Sequence, residues 1–325
     1  MANRFESIDT LRFIAAYSVC FAHLIPITNT NLIISEFFLG KFGVVIFFMI
    51  SGYLIPSSIK IEKNGLKKFW VSRFFRLYPM YWISILIAIT LMNFDKNTIL
   101  FNLTMFQSLF GYKDILGVYW TLIIEMFFYI FCSILLILKI LHKPNFIFLS
   151  TIGFVFISII ISFLRYKTEK ALPLAVPLLM TVMMIGYNLK LYEKKIVKKN
   201  HVIFLNIVFF ISLPFICYYG YSIKDNLTGD SIEYITSYTL GIFTFYFFYK
   251  YKISINTISK LGTHTYSAYL IHPLIITIII ITDFKSQSNF LIYFTYFSSI
   301  VLLSYVFFKL IEKPFIDIGK SINKQ

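Results

Sequence analysis

The sequence has few charged residues, few cysteines and no stretch rich in glycine, serine and proline. Only 14% of its 325 residues are charged, whereas 58% are hydrophobic and 20% are aromatic. A water-soluble domain does not show this balance. The lack of a polar stretch argues against a flexible linker and against a separate soluble module within these residues. We therefore expect a single membrane domain over residues 1–325.

The cysteines give no sign of a cross-linked or metal-bound fold. Cys20, Cys132 and Cys217 lie inside apolar stretches and lack the paired spacing of metal ligands, so we expect neither a disulfide framework nor a metal site. Signal-peptide features are also missing, because two acidic residues precede the first apolar run and no small-residue cleavage pattern follows it. We expect that run to be retained as a helix.

Apolar runs close to the length needed to cross about 30 Å of hydrocarbon recur along the whole chain. They predict an all-α, polytopic membrane bundle of about ten transmembrane helices. The predicted spans lie near 10–27, 40–59, 77–94, 117–139, 146–164, 172–189, 202–221, 232–249, 264–282 and 288–308. A further run, 98–110, is too short to span and predicts an interfacial or re-entrant segment.

Positive charge is unevenly distributed between the two sets of loops. Loops rich in Lys and Arg stay in the cytoplasm. With both termini cytoplasmic, the predicted spans place 22 of the 30 cations inside with six acids, and eight cations outside with eight acids. The net charge of +15 therefore follows from membrane insertion and attraction to the anionic inner leaflet, and no nucleic-acid partner is needed to explain it.

Ionisable residues within spans are costly, so each is a candidate functional residue. Arg12 and His23 are eleven positions apart in the first span, which places them on one helix face about 16 Å apart along the axis. We expect Glu125, in the fourth span, to lie at a depth similar to that of His23. A carboxylate beside an imidazole raises its basicity, as a general base requires. The alternative is helix packing, with an end-anchoring arginine, a hydrogen-bonded histidine and a structural ion pair.

A basic stretch before the third span contains Arg73 and Arg76. Their spacing of three puts them on one helix face, where together they can bind phosphate oxygens. Such a pair would suit a nucleotide-bearing donor that approaches from the cytoplasm, although any cytoplasmic loop is basic. Only five of the thirty cations are arginine, and two of them are here, which favours the phosphate site.

The ninth predicted span contains a histidine next to a proline. Proline frees a backbone carbonyl one turn earlier, which is typical of a cavity wall. We therefore expect His272, which precedes Pro273, and Tyr269, one turn before it, to line a cofactor-binding pocket. Glu312 is expected to cap the last span and to pair with a cytoplasmic cation.

Six motifs, in this order, resemble the acyltransferase family 3 membrane proteins. They are the Arg12 to His23 pattern, the segment 47–54, the Arg-x-x-Arg of Arg73 and Arg76, the stretch from Trp120 to Glu125, the stretch from Tyr266 to Pro273, and Glu312-Lys313-Pro314. Together they extend over residues 9–314, nearly the whole chain.

The resemblance implies a multi-pass enzyme of the bacterial cytoplasmic membrane, surrounded by membrane lipid. It would move an acyl group, usually acetyl from acetyl-coenzyme A, onto a sugar hydroxyl of a surface polysaccharide or its lipid-linked precursor. Matching positions imply that His23 is the catalytic base, with Arg12 as its partner and Glu125 as an acidic catalytic position, and that Arg73 and Arg76 contact acyl-coenzyme A. His23 would either activate the hydroxyl or first accept the acyl group itself.

The main alternative is a transporter of a polysaccharide or a lipid-linked sugar, since helical bundles with buried His and Glu also move substrates. The sequence has no pair of Gly/Pro-interrupted spans in matching halves and no evident internal repeat, and both would favour a transporter. A non-catalytic scaffold would leave the deep His and Glu without a role.

Overall fold

The computed structural model describes residues 2–28, 36–221 and 230–324, and all regular structure in these ranges is helical. Eight of these helices are long and apolar enough to cross a membrane, and a bent helix pair makes a ninth span. In hydrocarbon, each unpaired backbone amide or carbonyl is costly, and a helix pairs nearly all of them internally. The prediction of an all-α polytopic membrane bundle is confirmed.

Thirteen α-helices follow one another along the described ranges. Their bounds are α1 Ala2–Thr28, α2 Glu36–Ser58, α3 Gly65–Leu91, α4 Lys96–Asn102, α5 Trp120–Ile137, α6 Pro144–Thr168, α7 Ala175–Glu193, α8 Lys199–Tyr221, α9 Ser231–Tyr251, α10 Asn256–Gly262, α11 Thr265–Ile281, α12 Asn289–Phe307 and α13 Lys313–Ile322. Short 3₁₀ turns lie at Gln107–Phe110, Gly117–Tyr119 and Phe284–Ser286, and a π-helix over Phe308–Glu312 joins α12 to α13.

Each predicted span coincides with a helix, with differences in length and shape. The third span was expected to begin at residue 77, but α3 begins at Gly65, because the basic stretch before it is helical too. The predicted span 232–249 corresponds to α9, whose many Tyr, Thr and Ser residues lower its hydropathy, so it falls outside the nine. The span predicted at 264–282 is α11, which is bent by 72° from the short α10.

The segment between α3 and α5 turns back along α3. The hydroxyl of Tyr81 donates to the carbonyl of Asn102 over 2.7 Å, and that of Tyr78 donates to the carbonyl of Thr104 over 3.0 Å. Both tyrosines lie near the middle of α3, so the chain reaches well below the end of that helix before it returns. Of the two predicted forms, interfacial and re-entrant, the contacts fit the re-entrant one.

The helices form two compact units, each assembled from separate stretches of chain. The first unit contains residues 1–36, 62–123 and 252–325, and the second contains 37–61 and 124–251. In the first unit, α1 packs against α10, α11 and α12, and α3 packs against α11 and α13. In the second, α6 packs against α7 and α8, and α8 packs against α9.

In the first unit, α10 touches α1 through the backbone. A Cβ atom at Gly262 would lie 1.9 Å from the carbonyl oxygen of Asp9, so no larger residue fits there. Close by, the amide of Ile255 donates a 3.3 Å hydrogen bond to the hydroxyl of Thr10. These contacts fix the position of α1 along its own axis relative to α10. They thereby also fix the positions of the functional side chains that α1 carries.

In the second unit, two glycines form the crossing of α2 and α7. A Cβ atom at Gly52 would lie 1.8 Å from the carbonyl oxygen of Met183, and one at Gly186 would lie 2.4 Å from that of Met49. Small residues that let backbones approach are a common means of helix association in membranes. Of the spans, α7 is the most enclosed, with 78% of its apolar window buried.

Candidate active site

His23 of α1 and His272 of α11 face each other within the first unit. Their ring centroids are 5.1 Å apart, and Nε2 of His272 lies 3.4 Å from Nδ1 of His23. The same Nδ1 lies 2.9 Å from the carbonyl oxygen of Val19, one turn earlier in α1. The histidine that the sequence predicted to line a pocket thus lies against the imidazole that it predicted to be catalytic.

One combination of neutral tautomers is compatible with both contacts. A carbonyl oxygen only accepts, so Nδ1 of His23 carries the hydrogen and Nε2 keeps its lone pair. Two N–H groups cannot donate to each other, so Nε2 of His272 accepts from Nδ1 of His23, and the hydrogen of His272 lies on its Nδ1. That Nδ1 is buried and has no hydrogen-bond partner within the described residues. The basic atom of the pair is therefore Nε2 of His23.

The two imidazoles differ in exposure. His272 is 0% exposed, whereas His23 is exposed. Ala16 and Val19 share the helix face of His23 and are buried, at 0% and 1% exposure. His23 thus ends the packed face of α1, and its ring is accessible beside a fully buried partner.

A cluster of polar and charged residues lies near the start of α11. Ser267, five residues before His272, donates a 2.8 Å hydrogen bond to Oε2 of Glu312. Glu312 is 2% exposed, and the cations that act on its carboxylate are Arg76 and, more weakly, Arg12. A buried carboxylate needs such compensation. Arg76 thus acts on Glu312 through its charge, and a direct ion pair of Glu312 with a cytoplasmic cation stays a prediction.

An irregular turn directs Glu312 toward this cluster. The π-helix Phe308–Glu312 ends at it, and Pro314, just beyond, lacks the amide that a regular α-helix would use. Single π turns are frequent at functional sites, because they change the direction of the side chains that follow. In the sequence, the only signal of this turn was the Glu312-Lys313-Pro314 motif.

The arginines have distinct surroundings. Arg12 donates a 2.8 Å hydrogen bond from Nη1 to the Asp9 carboxylate, in addition to its electrostatic contact with Glu312. The guanidinium carbon of Arg73 lies 5.6 Å from the centroid of the Phe69 ring, one turn earlier in α3. Arg76 and, more weakly, Arg12 act electrostatically on the same carboxylate, and Arg73 lies three residues from Arg76 on the same helix.

Tyr269 connects α11 to the start of α5. Its hydroxyl lies 2.8 Å from the hydroxyl of Thr121 and donates a 3.2 Å hydrogen bond to the carbonyl of Val118. Its ring centroid lies 5.7 Å from that of His272, and the residue is 7% exposed. Protein groups therefore engage the hydroxyl of Tyr269, and its ring covers one side of His272.

Glu125 belongs to the second unit, where it accepts two hydrogen bonds. The hydroxyls of Tyr129 and Ser51 donate to the same oxygen, Oε1, over 2.6 and 3.3 Å. Ser51 lies in the segment 47–54, so two of the sequence motifs meet at this carboxylate. The sequence predicted Glu125 as the companion of His23, whereas the ring that faces His23 within the first unit is His272.

The other three histidines each contact a polar side chain. The pairs are His142 with Tyr187 at 2.8 Å, His201 with Asn188 at 2.9 Å and His264 with Ser304 at 3.3 Å. Within the described ranges, no three His, Cys, Asp or Glu side chains are arranged to hold a metal ion. The His23–His272 contact is thus the one pairing of imidazoles in the part of the chain that the structure describes.

Comparison with known proteins agrees with the motifs. A family model for an acyltransferase domain, Acyl_transf_3, matches residues 5–309, nearly the whole chain. The chain belongs to acyltransferase family 3. This acyltransferase is 32% identical to peptidoglycan O-acetyltransferase OatA of Listeria monocytogenes over 175 residues, which cover 45% of this chain and 27% of that protein. The match thus spans less than a third of the length of the relative. No solved structure matches this acyltransferase.

Proposed function

We propose that this acyltransferase moves an acetyl group from acetyl-coenzyme A onto a carbohydrate hydroxyl at the bacterial cytoplasmic membrane. Family membership supports acyl transfer, and the matched relative bears the name of an O-acetyltransferase that acts on a glycan. The acceptor in this proposal is a cell-surface polysaccharide or its lipid-linked precursor. The apolar helices support a site embedded in the membrane.

The accessible ring of His23, backed by the buried His272, is the observation that carries this proposal. A neutral imidazole with one nitrogen fixed as a donor presents a base of suitable strength at the other nitrogen. Val19 and His272 together hold Nδ1 of His23 in this state. We assign Nε2 of His23 as the catalytic atom and His272 as a positioning residue that orients it.

The reaction can then follow either of two routes through the same atom. In the first, Nε2 removes the proton of the acceptor hydroxyl while its oxygen attacks the thioester carbonyl; the carbon–sulfur bond breaks, and the coenzyme A thiolate receives that proton. In the second, Nε2 attacks the thioester carbonyl, the carbon–sulfur bond breaks, and an acyl-imidazolium and the coenzyme A thiolate form; the acceptor oxygen then attacks the acyl carbon, the carbon–nitrogen bond breaks, and the hydroxyl proton goes to the thiolate. Both routes release coenzyme A as the free thiol, and both require an accessible Nε2.

The donor phosphates would bind at the basic end of α3, which the charge distribution places in the cytoplasm. Stacking on Phe69 uses the face of the Arg73 guanidinium, whereas phosphate binds in its plane, so the two contacts are compatible. Arg76 lies near Glu312, which holds its charge at a fixed place. We propose that Arg73 and Arg76 both contact the phosphates, with Arg73 contributing more.

A path between the two clusters follows α1 and α11. Along α11, Ser267 and His272 are separated by about 7.5 Å of helix rise, and along α1 the separation of Arg12 and His23 is about 16 Å. We propose that the pantetheine arm of the donor extends along these helices. The thioester would then lie near Nε2 of His23.

Substitution of His23 tests the proposal. We expect His23→Ala to lower acetyl transfer at least about 100-fold. Membrane insertion and the melting midpoint should stay normal, because the side chain that is removed is exposed. Purified enzyme in nanodiscs would be assayed for thiol release and for addition of one acetyl unit to the acceptor by mass spectrometry. His201→Ala is the matched control, with transfer expected to remain. Normal acylation by His23→Ala would refute the assignment, and a wild-type protein that neither transfers nor hydrolyses acetyl groups would favour a transporter.

A further inference from the structure

A second group of charged and aromatic residues lies in the second unit, and the proposed chemistry does not use it. Arg165, near the end of α6, is 6% exposed, and its guanidinium carbon lies 5.3 Å from the centroid of the Tyr221 ring. Tyr221 stacks on Tyr234 with ring centroids 3.5 Å apart and planes within 6°. The charge distribution of the loops places this end of α6, the end of α8 and the start of α9 on the outer side of the membrane.

No carboxylate within the described ranges pairs with Arg165. Its Nη1 donates a 3.3 Å hydrogen bond to the carbonyl of Leu172, and its Nε is buried with no acceptor. Glu169, one turn farther on, is exposed and does not reach it. The groups that interact electrostatically with Arg165 are the hydroxyls of Tyr221 and Tyr234. Among the described residues, its positive charge thus has only hydroxyls and one backbone carbonyl beside it.

The neighbouring cation provides a contrast. Lys41 of α2 lies 3.5 Å from the carboxylate of Glu233 and 4.0 Å from the centroid of the Tyr234 ring. Two cations therefore flank the stacked tyrosines from within the same unit. The charge of Lys41 has a carboxylate beside it, whereas no carboxylate in the described part of the chain pairs with Arg165.

Anchoring at the membrane surface does not explain the position of Arg165. An anchoring arginine extends its charged end toward water. The next two residues behave in this way, since Tyr166 is 47% exposed and Lys167 is also exposed. Arg165 turns inward, and its place in the last turn of α6 offsets the cost of burial only in part. Buried cations without a partner are costly in membranes and are typical of binding sites.

We propose that Arg165 binds an anionic group of the acceptor, a carboxylate or a phosphate, at the outer end of the second unit. The in-plane N–H groups of its guanidinium match two oxygens of such a group, while Tyr221 covers its face. The acceptor is then an acidic glycan or a sugar phosphate linked to lipid. Identification of this ligand as the acceptor rests on the proposed function, but the anion site itself does not.

Thermal unfolding in nanodiscs without acetyl-coenzyme A tests the site independently of catalysis. The ligands are trigalacturonate with galactotriose as its neutral counterpart, and polyprenyl phosphate with polyprenol. Sodium chloride at equal ionic strength controls for screening. We expect one of the two anionic ligands to raise the melting midpoint of the wild type, whereas its neutral counterpart should not. The anionic ligand that does so shows whether the bound group is a sugar carboxylate or a lipid phosphate. Arg165→Met should weaken that binding by at least about tenfold, and Lys167→Met should leave it unchanged.

The unliganded variant separates binding from a structural role. A binding residue is expected to leave the midpoint of unliganded Arg165→Met unchanged or higher, because an uncompensated buried charge is removed. If Arg165→Met does not fold, Arg165→Lys replaces it. This variant should bind the anion severalfold more weakly, because lysine lacks the planar guanidinium that can bind two oxygens at once. The proposal is overturned if no anion stabilises the wild type beyond the salt control, or if the variant keeps the full shift. Anion binding without acetyl transfer would contradict the proposed function and leave this site standing.

Discussion

The two units differ in what their helices bring together. In the first unit, α1 and α11 bring together the imidazoles of His23 and His272, in addition to the backbone contact at Gly262. In the second, the closest approach joins backbones at Gly52. Polar contacts between membrane helices mark function, whereas small residues at a crossing provide tight packing. We propose that the first unit holds the reactive groups and that the glycine crossing makes the second a rigid support.

The largest effect is expected at the glycine crossing of the second unit. Gly52→Val places a side-chain carbon where the Met183 carbonyl oxygen would be 1.8 Å away, and backbone cannot shift as a side chain can. We expect no folded protein in the membrane, as judged by size-exclusion chromatography of detergent extracts. Gly153→Val in α6 is the control, since nothing lies within 4 Å of a Cβ there. A monodisperse Gly52→Val protein at normal yield would show that the crossing is not a rigid support.

Glu125 can break the comparison, because it is a predicted catalytic residue in the second unit. Glu125→Gln keeps an oxygen that can accept from Tyr129 and Ser51, but it removes the charge. If Glu125 acts as a catalytic carboxylate, the Glu125→Gln variant should transfer the acetyl group about 100-fold more slowly, with an unchanged melting midpoint. Glu193→Gln in the same unit is the control. Normal transfer by Glu125→Gln would confine the chemistry to the first unit.

His272 tests whether the first unit positions its base through a buried neighbour. We expect His272→Leu to lower kcat roughly ten- to hundredfold, because the acceptor opposite Nδ1 of His23 is lost. His272→Gln, which restores an acceptor, should recover part of the rate. The KM for acetyl-coenzyme A should stay constant in both. A raised KM with unchanged kcat would instead indicate that His272 contacts acetyl-coenzyme A, as the sequence predicted.

The paired arginines distinguish binding from folding within the first unit. Arg73→Ala should raise the KM for acetyl-coenzyme A by about tenfold, with the melting midpoint unchanged. Arg76→Ala should also lower the midpoint, because it removes the cation that acts most strongly on the buried Glu312. Lys67→Ala, on the exposed side of α3, is the control. Identical behaviour of the two arginine variants would show that Glu312 does not distinguish them.

The smallest effect is expected in the re-entrant segment. Burial raises the pKa of the Asp114 carboxyl above its usual 3.8, although a hydrogen bond from Gln107 opposes this. A raised folded-state pKa means that ionisation costs stability. The cost is absent below about pH 4 and complete above the folded-state pKa, so the melting midpoint should fall slightly as pH rises through this window. Asp114→Asn should make the melting midpoint less dependent on pH, as measured by melting curves over this pH range. If the dependence is unchanged, other titratable groups cause it.

Hydropathy predicted the positions of the spans because the bilayer imposes a minimum length on every crossing helix. It could not predict helices whose composition is polar. The first turns of α3 are basic and α13 is amphipathic, so both resembled loops, although α13 packs along α3 and Phe315 stacks 6.4 Å from Phe75. The bend between α10 and α11 was not predicted either, since the seven residues of α10, four of them polar, show too little periodicity.

The candidate site was predictable where it lies on one helix. The Arg12 to His23 face follows from 3.6 residues per turn, and the Arg73 to Arg76 spacing does so too. The neighbour of His23 was not predictable, because the sequence gives the depth of a residue in its span and not which helices lie side by side. Glu125 was therefore expected beside His23, and His272 was expected only to line a pocket. Gly262 was a signal of the contact of α10 with α1 that the sequence analysis did not use.

The π-helix Phe308–Glu312 gives this stretch a tolerance for chain length that a regular helix lacks. A π turn holds about one residue more than an α turn, so deletion of Leu310 would restore regular geometry without changing any functional side chain. The residues beyond the deletion would keep nearly the same orientation, because the π turn already accommodates the extra residue, and Glu312 would still face Ser267. In alignments of related chains, a one-residue gap between 308 and 312 is therefore compatible with a Glu-Lys-Pro motif that keeps its place in the fold.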